Sequence, residues 1–121
     1  WLEKNQLADL LCLGKEIGLT ALVETHDEAD LEKAHSAKAT LIGINNRDLS
    51  TGKTDLSIAR RLLKPALMDS KNIVVCESGI YSRDEINEFE KMGAHAFLIG
   101  ESLVKADDIS GKLRELLNDQ D

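Results

Sequence analysis

Four short apolar runs, separated by segments with helical spacing, constrain the fold of this chain more than any other feature. Each run has the length and composition of a strand that is buried on both faces. Strands that alternate with helices form parallel sheets, and the crossovers between them are right-handed. The pattern therefore predicts an α/β fold with the element order αβαβαβαβα. The runs lie in TALVETH, TLIGINNRDL, NIVVCESGI and HAFLIGESL.

Capping residues and glycines set the predicted boundaries of these elements. Asp55 caps the third helix, Ser82 and Glu85 form a capping box for the fourth, and Gly93 ends the fourth. The strands are predicted over 20–24, 40–44, 73–76 and 96–99. The helices are predicted over 2–17, from 27, from 55 to about 65, from 82 to 92 and from about 108 to 117, with a short extra turn at 102–105.

Four strands are too few to close a barrel by themselves. A (β/α)8 barrel takes about 250 residues, and this chain has 121 residues and half of the strands. Barrel enzymes often bind phosphate with a short extra helix beside strands 7 and 8, and the extra turn here has the corresponding place. We therefore predict one domain over 1–121 that forms half of a (β/α)8 TIM barrel. An open flavodoxin-like sheet is the alternative.

Polar residues and glycines follow every apolar run, at the point where each predicted strand ends. The carboxyl ends of parallel strands meet at one edge of the sheet, and α/β proteins bind their ligands there. The sequence therefore predicts one side of an active site at this edge. The residues are Glu24, Asn45, Asn46, Glu77, Ser78, Gly79, Gly100, Glu101 and Ser102.

The composition narrows the class of partner. A net charge of -7 argues against binding to nucleic acid, which needs clustered Lys and Arg, but it allows a single phosphate held by backbone N–H groups. No apolar stretch reaches the roughly 20 residues that span a membrane, so we expect a cytoplasmic protein without a membrane partner.

Cys12 and Cys76 are too few for a metal motif. We interpret both as buried, reduced thiols and predict neither a metal nor a cofactor.

Four segments together resemble the second half of indole-3-glycerol phosphate synthase: LVETHDEADLEKA, IGINNRDLSTGKTDL, VVCESGIYSRDEI and GAHAFLIGESLVKADD. The resemblance covers nearly the whole chain, from the helix before the fifth strand to the eighth helix of the barrel. It implies a lyase of tryptophan biosynthesis. That family converts 1-(2-carboxyphenylamino)-1-deoxyribulose 5-phosphate to indole-3-glycerol phosphate, with loss of carbon dioxide and water.

The resemblance also implies roles for three polar side chains. Glu24 matches the acid/base carboxylate, and a half-closed pocket can raise the pKa of such a group toward neutrality. The alternative for Glu24 is an ion pair with a neighbouring Lys at the end of a strand. Asn45 matches an amide that contacts the substrate. Glu77 matches a carboxylate that lines the pocket.

The phosphate of the substrate is expected to lie near the last two strand ends. The resemblance assigns it Ser78, Gly79, Gly100 and Glu101. Because its charge would repel phosphate, Glu101 is expected to contribute its backbone N–H and to turn its carboxylate outward. We favour a turn role for Asn46.

Several alternatives remain open at this point. Arg47 either orients catalytic groups or is a solvated surface residue. The chain begins at Trp1 within an amphipathic pattern, which we interpret as a cut that removed the first four βα units and, with them, the family's general-acid lysine. We therefore expect this chain alone to lack appreciable synthase activity. The alternatives are another phosphate-binding barrel enzyme, such as a phosphoribosylanthranilate isomerase, and a non-catalytic half-barrel that self-associates through its open sheet edges.

Overall fold

Each of the four apolar runs forms a strand, and the strands form one parallel sheet. The structure is a computed structural model that describes residues 2–118. The strands lie side by side in chain order, whereas a flavodoxin-like sheet would place its first strand between the second and the third. Four parallel strands in this order confirm the α/β class and half of a barrel. The strands are β1 (Val23–Thr25), β2 (Leu41–Asn45), β3 (Ile73–Glu77) and β4 (Ala96–Leu98).

Helices connect the strands at the predicted places. The Asp27 side chain accepts a hydrogen bond from the N–H of Asp30, and Ser82 and Glu85 form the predicted capping box. Asp55 was predicted to be the residue directly before the third helix, but the helix begins at Ser57 and Leu56 lies between them. The Oδ1 of Asp55 nevertheless accepts a hydrogen bond of 2.9 Å from the N–H of Ser57. The helices are α1 (Lys4–Glu16), α2 (Glu28–Ser36), α3 (Ser57–Ala66), α4 (Arg83–Lys91), α5 (Glu101–Val104) and α6 (Ile109–Leu117).

The two faces of the sheet have different surroundings. Residues that pair across neighbouring strands share a face, and successive residues of one strand alternate between faces. One face packs against the helices and forms the hydrophobic core, with Ile42, Ile44, Val74 and Cys76 fully buried. The opposite face, which we call the open face, carries Glu24, Gly43, Val75 and Ala96 in one register row. Asn45, Glu77 and Leu98 form the next row, at the carboxyl ends of the strands.

The two cysteines differ in their surroundings. Cys76 is buried, as predicted, and burial raises the pKa of its thiol to about 12, with a smaller contribution from the charge of Glu77. The prediction for Cys12 is wrong, because this residue is exposed. The reason is that α1 buries none of its residues and packs mainly against α2. The periodic pattern of α1 identified its apolar residues but not what covers them.

No helix in the part of the chain that the structure describes is long and apolar enough to cross a membrane.

Candidate functional site

The sheet register brings two carboxyl groups and an amide together at the carboxyl edge of the open face. Glu24 pairs in register with Gly43, and Asn45 pairs with Glu77. The Nδ2 of Asn45 donates a hydrogen bond of 3.4 Å to Oε2 of Glu24. All three side chains for which the sequence predicts catalytic roles therefore lie in one cluster, although they come from three different strands.

Glu77 is the most perturbed titratable group of this cluster. Its side chain is only 1% exposed, and its Oε1 has no hydrogen-bond partner among residues 2–118. Burial raises the pKa of Glu77 from its ordinary 4.5 to about 7, and a hydrogen bond with Glu24 and the charge of Glu24 add to the effect. Such a carboxyl group is both a proton donor and a proton acceptor near neutral pH.

A cavity of about 300 Å³ lies at the ends of β3 and β4. Its lining includes Ser78, the residue directly after Glu77, but none of the three residues of the cluster. Ser78, Gly79, Gly100 and Glu101, the four residues predicted to surround a phosphate, all line the cavity. Ser78 and Gly79 have φ angles of 65° and 75°, so the chain turns sharply directly after Glu77. A non-glycine residue such as Ser78 rarely adopts this left-handed conformation, and residues held there often belong to binding sites.

Ser102, which the sequence places at this edge of the sheet beside Gly100 and Glu101, also lines this cavity. Its side chain is buried, and its Oγ has no hydrogen-bond partner within the described residues. A buried hydroxyl group without a partner is unfavourable unless a ligand or water satisfies it. Its place three residues after Ile99 was visible in the sequence, but its burial was not.

Glu101 lies at the border of this cavity. Its carboxylate forms ion pairs with Arg47 and Lys105, and its side chain is 30% exposed. Hydrogen bonds from Lys105, then Arg47, lower the pKa of Glu101 to about 2. Arg47 also donates a hydrogen bond of 2.6 Å from Nη1 to the carbonyl oxygen of Gly52. Arg47 is therefore not a freely solvated side chain, and it links its own loop to the start of α5.

Asn46 differs from the predicted turn role. It lies directly after β2 and not in a turn, it is fully buried, and both ends of its side-chain amide are bonded. Its Nδ2 donates to the carbonyl oxygen of Ser78 at 3.1 Å, and its Oδ1 accepts from the N–H of Ala59 at 3.0 Å. Asn46 therefore supports the turn at the cavity from behind and does not face the cavity.

The residues of the site give no sign of a metal centre. Within residues 2–118, His, Cys, Asp and Glu do not form a group of three that could hold a metal ion. The site offers two carboxyl groups, an amide, and a cavity with one unpartnered hydroxyl group.

Comparison with known proteins gives one family. The family model described as indole-3-glycerol phosphate synthase matches residues 1–116. Two curated relatives with that name come from Desulfosudis oleivorans, 49% identical over 116 residues, and Dehalococcoides mccartyi, 45% identical over 116 residues. Each alignment covers 96% of this chain but only 43% and 44% of the relatives, respectively. The chain thus spans less than half the length of the curated relatives it matches.

A solved structure is similar in fold. A chain in the crystal structure of the Amycolatopsis orientalis BexX/CysO complex superposes with a TM-score of 0.60 at 21% sequence identity. The superposition covers 95% of this chain and 48% of that chain. At this level of identity, the similarity concerns the fold alone.

Proposed function

Because this chain belongs to the indole-3-glycerol phosphate synthase family, we propose that it supplies the carboxyl-terminal half of a (β/α)8 barrel with that lyase activity. The substrate would be 1-(2-carboxyphenylamino)-1-deoxyribulose 5-phosphate, which is cyclised to indole-3-glycerol phosphate with loss of carbon dioxide and water. The observation that carries the proposal is that the cluster of Glu24, Asn45 and Glu77 and the cavity at the ends of β3 and β4 share one edge of the sheet, with Ser78 of the cavity directly after Glu77.

Glu24 and Glu77 would provide proton transfer in this reaction. Ring closure at the ribulose carbonyl needs an acid, and the later dehydration needs a base and an acid. A carboxyl group with a pKa of about 7, as for Glu77, is protonated in about half of the molecules at neutral pH. The amide of Asn45, hydrogen-bonded to Glu24, would orient that carboxylate and contact the substrate.

The cavity beside the carboxyl groups would bind the phosphate of the substrate. The backbone N–H groups of Gly79, Gly100 and Glu101 would face the phosphate, whereas the N–H of Ser78 donates to the carbonyl oxygen of Leu98 at 3.4 Å. Ser102 would add a buried hydroxyl group that needs a partner. Glu77 directly precedes Ser78, so the phosphate site and the proton-transfer site are adjacent along one chain segment. A phosphate held there would place the rest of the substrate over the open face.

We further infer a cytoplasmic location and no nucleic-acid partner. The inference is supported by the biosynthetic role of the family and by the net charge of -7. The cavity that would hold phosphate is small and has Glu101 at its border, which suits a small phosphorylated metabolite and not a polyanion.

The open face of the sheet must be covered in the active protein. It exposes Leu22, Ile73 and Leu98, and β1 and β4 have unpaired edges in the described part of the chain. Exposed apolar faces and open edges promote association. We propose that the 121-residue chain on its own has no appreciable synthase activity and self-associates through this face. Light scattering should show a dimer or larger species, and a strictly monomeric protein at high concentration would count against self-association.

An assay with separate halves tests the proposed activity. The purified chain is mixed with the carboxyphenylamino substrate, with and without a second polypeptide that carries the first four βα units of the Desulfosudis relative. We expect product only from the mixture. Glu24→Gln should lower kcat by about 100-fold or more, because it removes the proton-transfer group. Glu32→Gln, on the exposed side of α2, is the matched control. Turnover by the chain alone would refute its inactivity, and an active Glu24→Gln mixture would refute the role of Glu24.

A further inference from the structure

Gly43 lies directly under the side chain of Glu77. A Cβ atom added to Gly43 would lie 1.8 Å from Oε1 and 2.9 Å from Cδ of Glu77. Real Cβ atoms essentially never approach other atoms so closely. The atoms involved belong to Glu77, a residue that is only 1% exposed. The carboxyl group of Glu77 therefore occupies the space that any side chain at position 43 would take.

The sheet register explains why this space matters. Glu77 on β3 pairs with Asn45 on β2, two residues beyond Gly43, and Gly43 pairs with Glu24 on β1. The Glu77 side chain thus runs diagonally across β2 toward Glu24, and it crosses that strand at the residue that has no side chain. A side chain at position 43 would separate the two carboxyl groups.

The backbone of Gly43 does not itself require glycine. Its φ lies outside the left-handed region, in contrast to those of Gly79 and Gly93. Glycine is unfavourable inside a strand, because it packs poorly and loses more conformational freedom on folding than other residues. The free space above the strand, rather than the backbone conformation, is therefore the property that glycine supplies here.

We propose that Gly43 is a positioning residue, which lets the Glu77 carboxyl group lie across β2 and share a proton with Glu24. The catalytic meaning of this arrangement rests on the proposed function, whereas the arrangement itself does not. The groups that face the Glu77 carboxyl from the neighbouring strands are Glu24 on β1, the uncharged amide of Asn45 on β2 and the apolar Leu98 on β4. Glu24 is thus the ionisable group that faces the Glu77 carboxyl from the neighbouring strands.

A double-mutant cycle tests the placement. Gly43→Ala should lower the Tm of the 121-residue chain, because the new methyl group displaces Glu77. In the background of Glu77→Ala, the same substitution should leave the Tm unchanged or raise it, because the obstacle is gone and alanine is the better strand residue. Gly14→Ala in α1, where an added Cβ meets nothing within 4 Å, is the matched control and should not lower the Tm in either background.

A titration tests the effect on the carboxyl pair, which a purely structural role of Gly43 would not change. In the chain with ¹³C-labelled glutamate, the midpoint of Glu77 should move from about 7 toward the ordinary 4.5 in Gly43→Ala. If Gly43→Ala does not fold but the double variant does, the proposed clash is supported. Equal Tm changes in both backgrounds, an unfolded double variant or an unchanged Glu77 midpoint would overturn the proposal. Neither measurement uses substrate, so a failure of the proposal about Gly43 is distinguishable from a failure of the synthase assay.

Discussion

The side-chain amide of Asn46 donates a hydrogen bond of 3.1 Å to the carbonyl oxygen of Ser78, 32 residues further along the chain. The backbone of Asn46 bonds as well, since its N–H donates to the carbonyl oxygen of Glu77 and its carbonyl oxygen accepts from the N–H of Asp55. Through these bonds and the one from Ala59, a single buried residue joins the ends of two strands to the start of α3. The left-handed turn that follows Glu77 is therefore held in place from β2.

Asn46→Ala should destabilise the chain strongly. The substitution leaves the carbonyl oxygen of Ser78 and the N–H of Ala59 without their side-chain partners in a buried place, at a cost of about 1–3 kcal/mol for each group. We expect the free energy of unfolding to fall by about 2–4 kcal/mol in urea denaturation. Asn5→Ala, on the exposed side of α1, is the control and should stay within about 0.5 kcal/mol of the parent chain. A comparable small effect at Asn46 would contradict a supporting role.

Local signals in the sequence were sufficient to predict the elements and their order. The capping box of Ser82 and Glu85 and the cap at Asp27 mark helix starts through contacts three residues apart, so they are visible without any knowledge of the fold. The strands followed from apolar runs, and their parallel order followed from the helices between them. The cluster of Glu24, Asn45 and Glu77 followed in turn, because parallel strands end at one edge.

What the sequence missed concerns contacts between distant segments. The turn role predicted for Asn46 missed its hydrogen bond to the carbonyl oxygen of Ser78. The ion pair between Glu101 and Arg47, which lies 54 residues earlier in the chain, was not predicted either. No periodic pattern reports such pairs. Cys12 was predicted to be buried because α1 has apolar residues at helical spacing, yet spacing does not say what covers them. The space above Gly43 likewise appears only when Glu77 is placed on the neighbouring strand.

Glu77 should make the stability of the chain decrease as the pH rises toward neutrality. Folding raises the pKa of Glu77 from 4.5 to about 7, so the folded state binds more protons than the unfolded state between these values. The free energy of unfolding therefore falls as the pH rises through this range, by roughly 3 to 4 kcal/mol at most, at about 1.4 kcal/mol for each pKa unit. Urea denaturation below, within and above the range measures the effect.

The variant Glu77→Gln should lack this decrease, because glutamine does not titrate. Glu32→Gln, on the exposed side of α2, should keep the parent profile. The lowered pKa of Glu101 acts in a different range, since its stabilisation is present above 4.5 and is lost as the pH falls toward about 2. A parent chain whose stability rises or stays constant between 4.5 and 7 would show that Glu77 is not buried beside Glu24.

Glu101→Gln should tighten the binding of inorganic phosphate to the cavity. The substitution removes a negative charge at the border of the cavity and releases Arg47 and Lys105 from their ion pairs with that carboxylate. We expect the Kd for phosphate to fall by about 3-fold at low salt, and the difference should shrink at high salt because ions screen exposed charges. Isothermal titration calorimetry at two salt concentrations measures the change in Kd and its dependence on salt.

Glu115→Gln is the control for this substitution. It removes an exposed pair with Lys112 on α6 and should leave the Kd for phosphate unchanged. Weaker binding by Glu101→Gln would indicate that the carboxylate itself is needed to shape the site.

Ser102→Ala should separate a binding role from a structural one. The Oγ of Ser102 is buried and has no hydrogen-bond partner in the described part of the chain, so its removal should leave the Tm unchanged or raise it slightly. If that hydroxyl group donates to a bound phosphate, the same substitution should raise the Kd for inorganic phosphate by about 10-fold, the usual effect of losing a hydrogen bond to a charged group. Ser110→Ala, at an exposed position of α6, should change neither quantity. A lower Tm together with an unchanged Kd would assign Ser102 to packing and would leave phosphate binding to the backbone groups of Gly79 and Gly100.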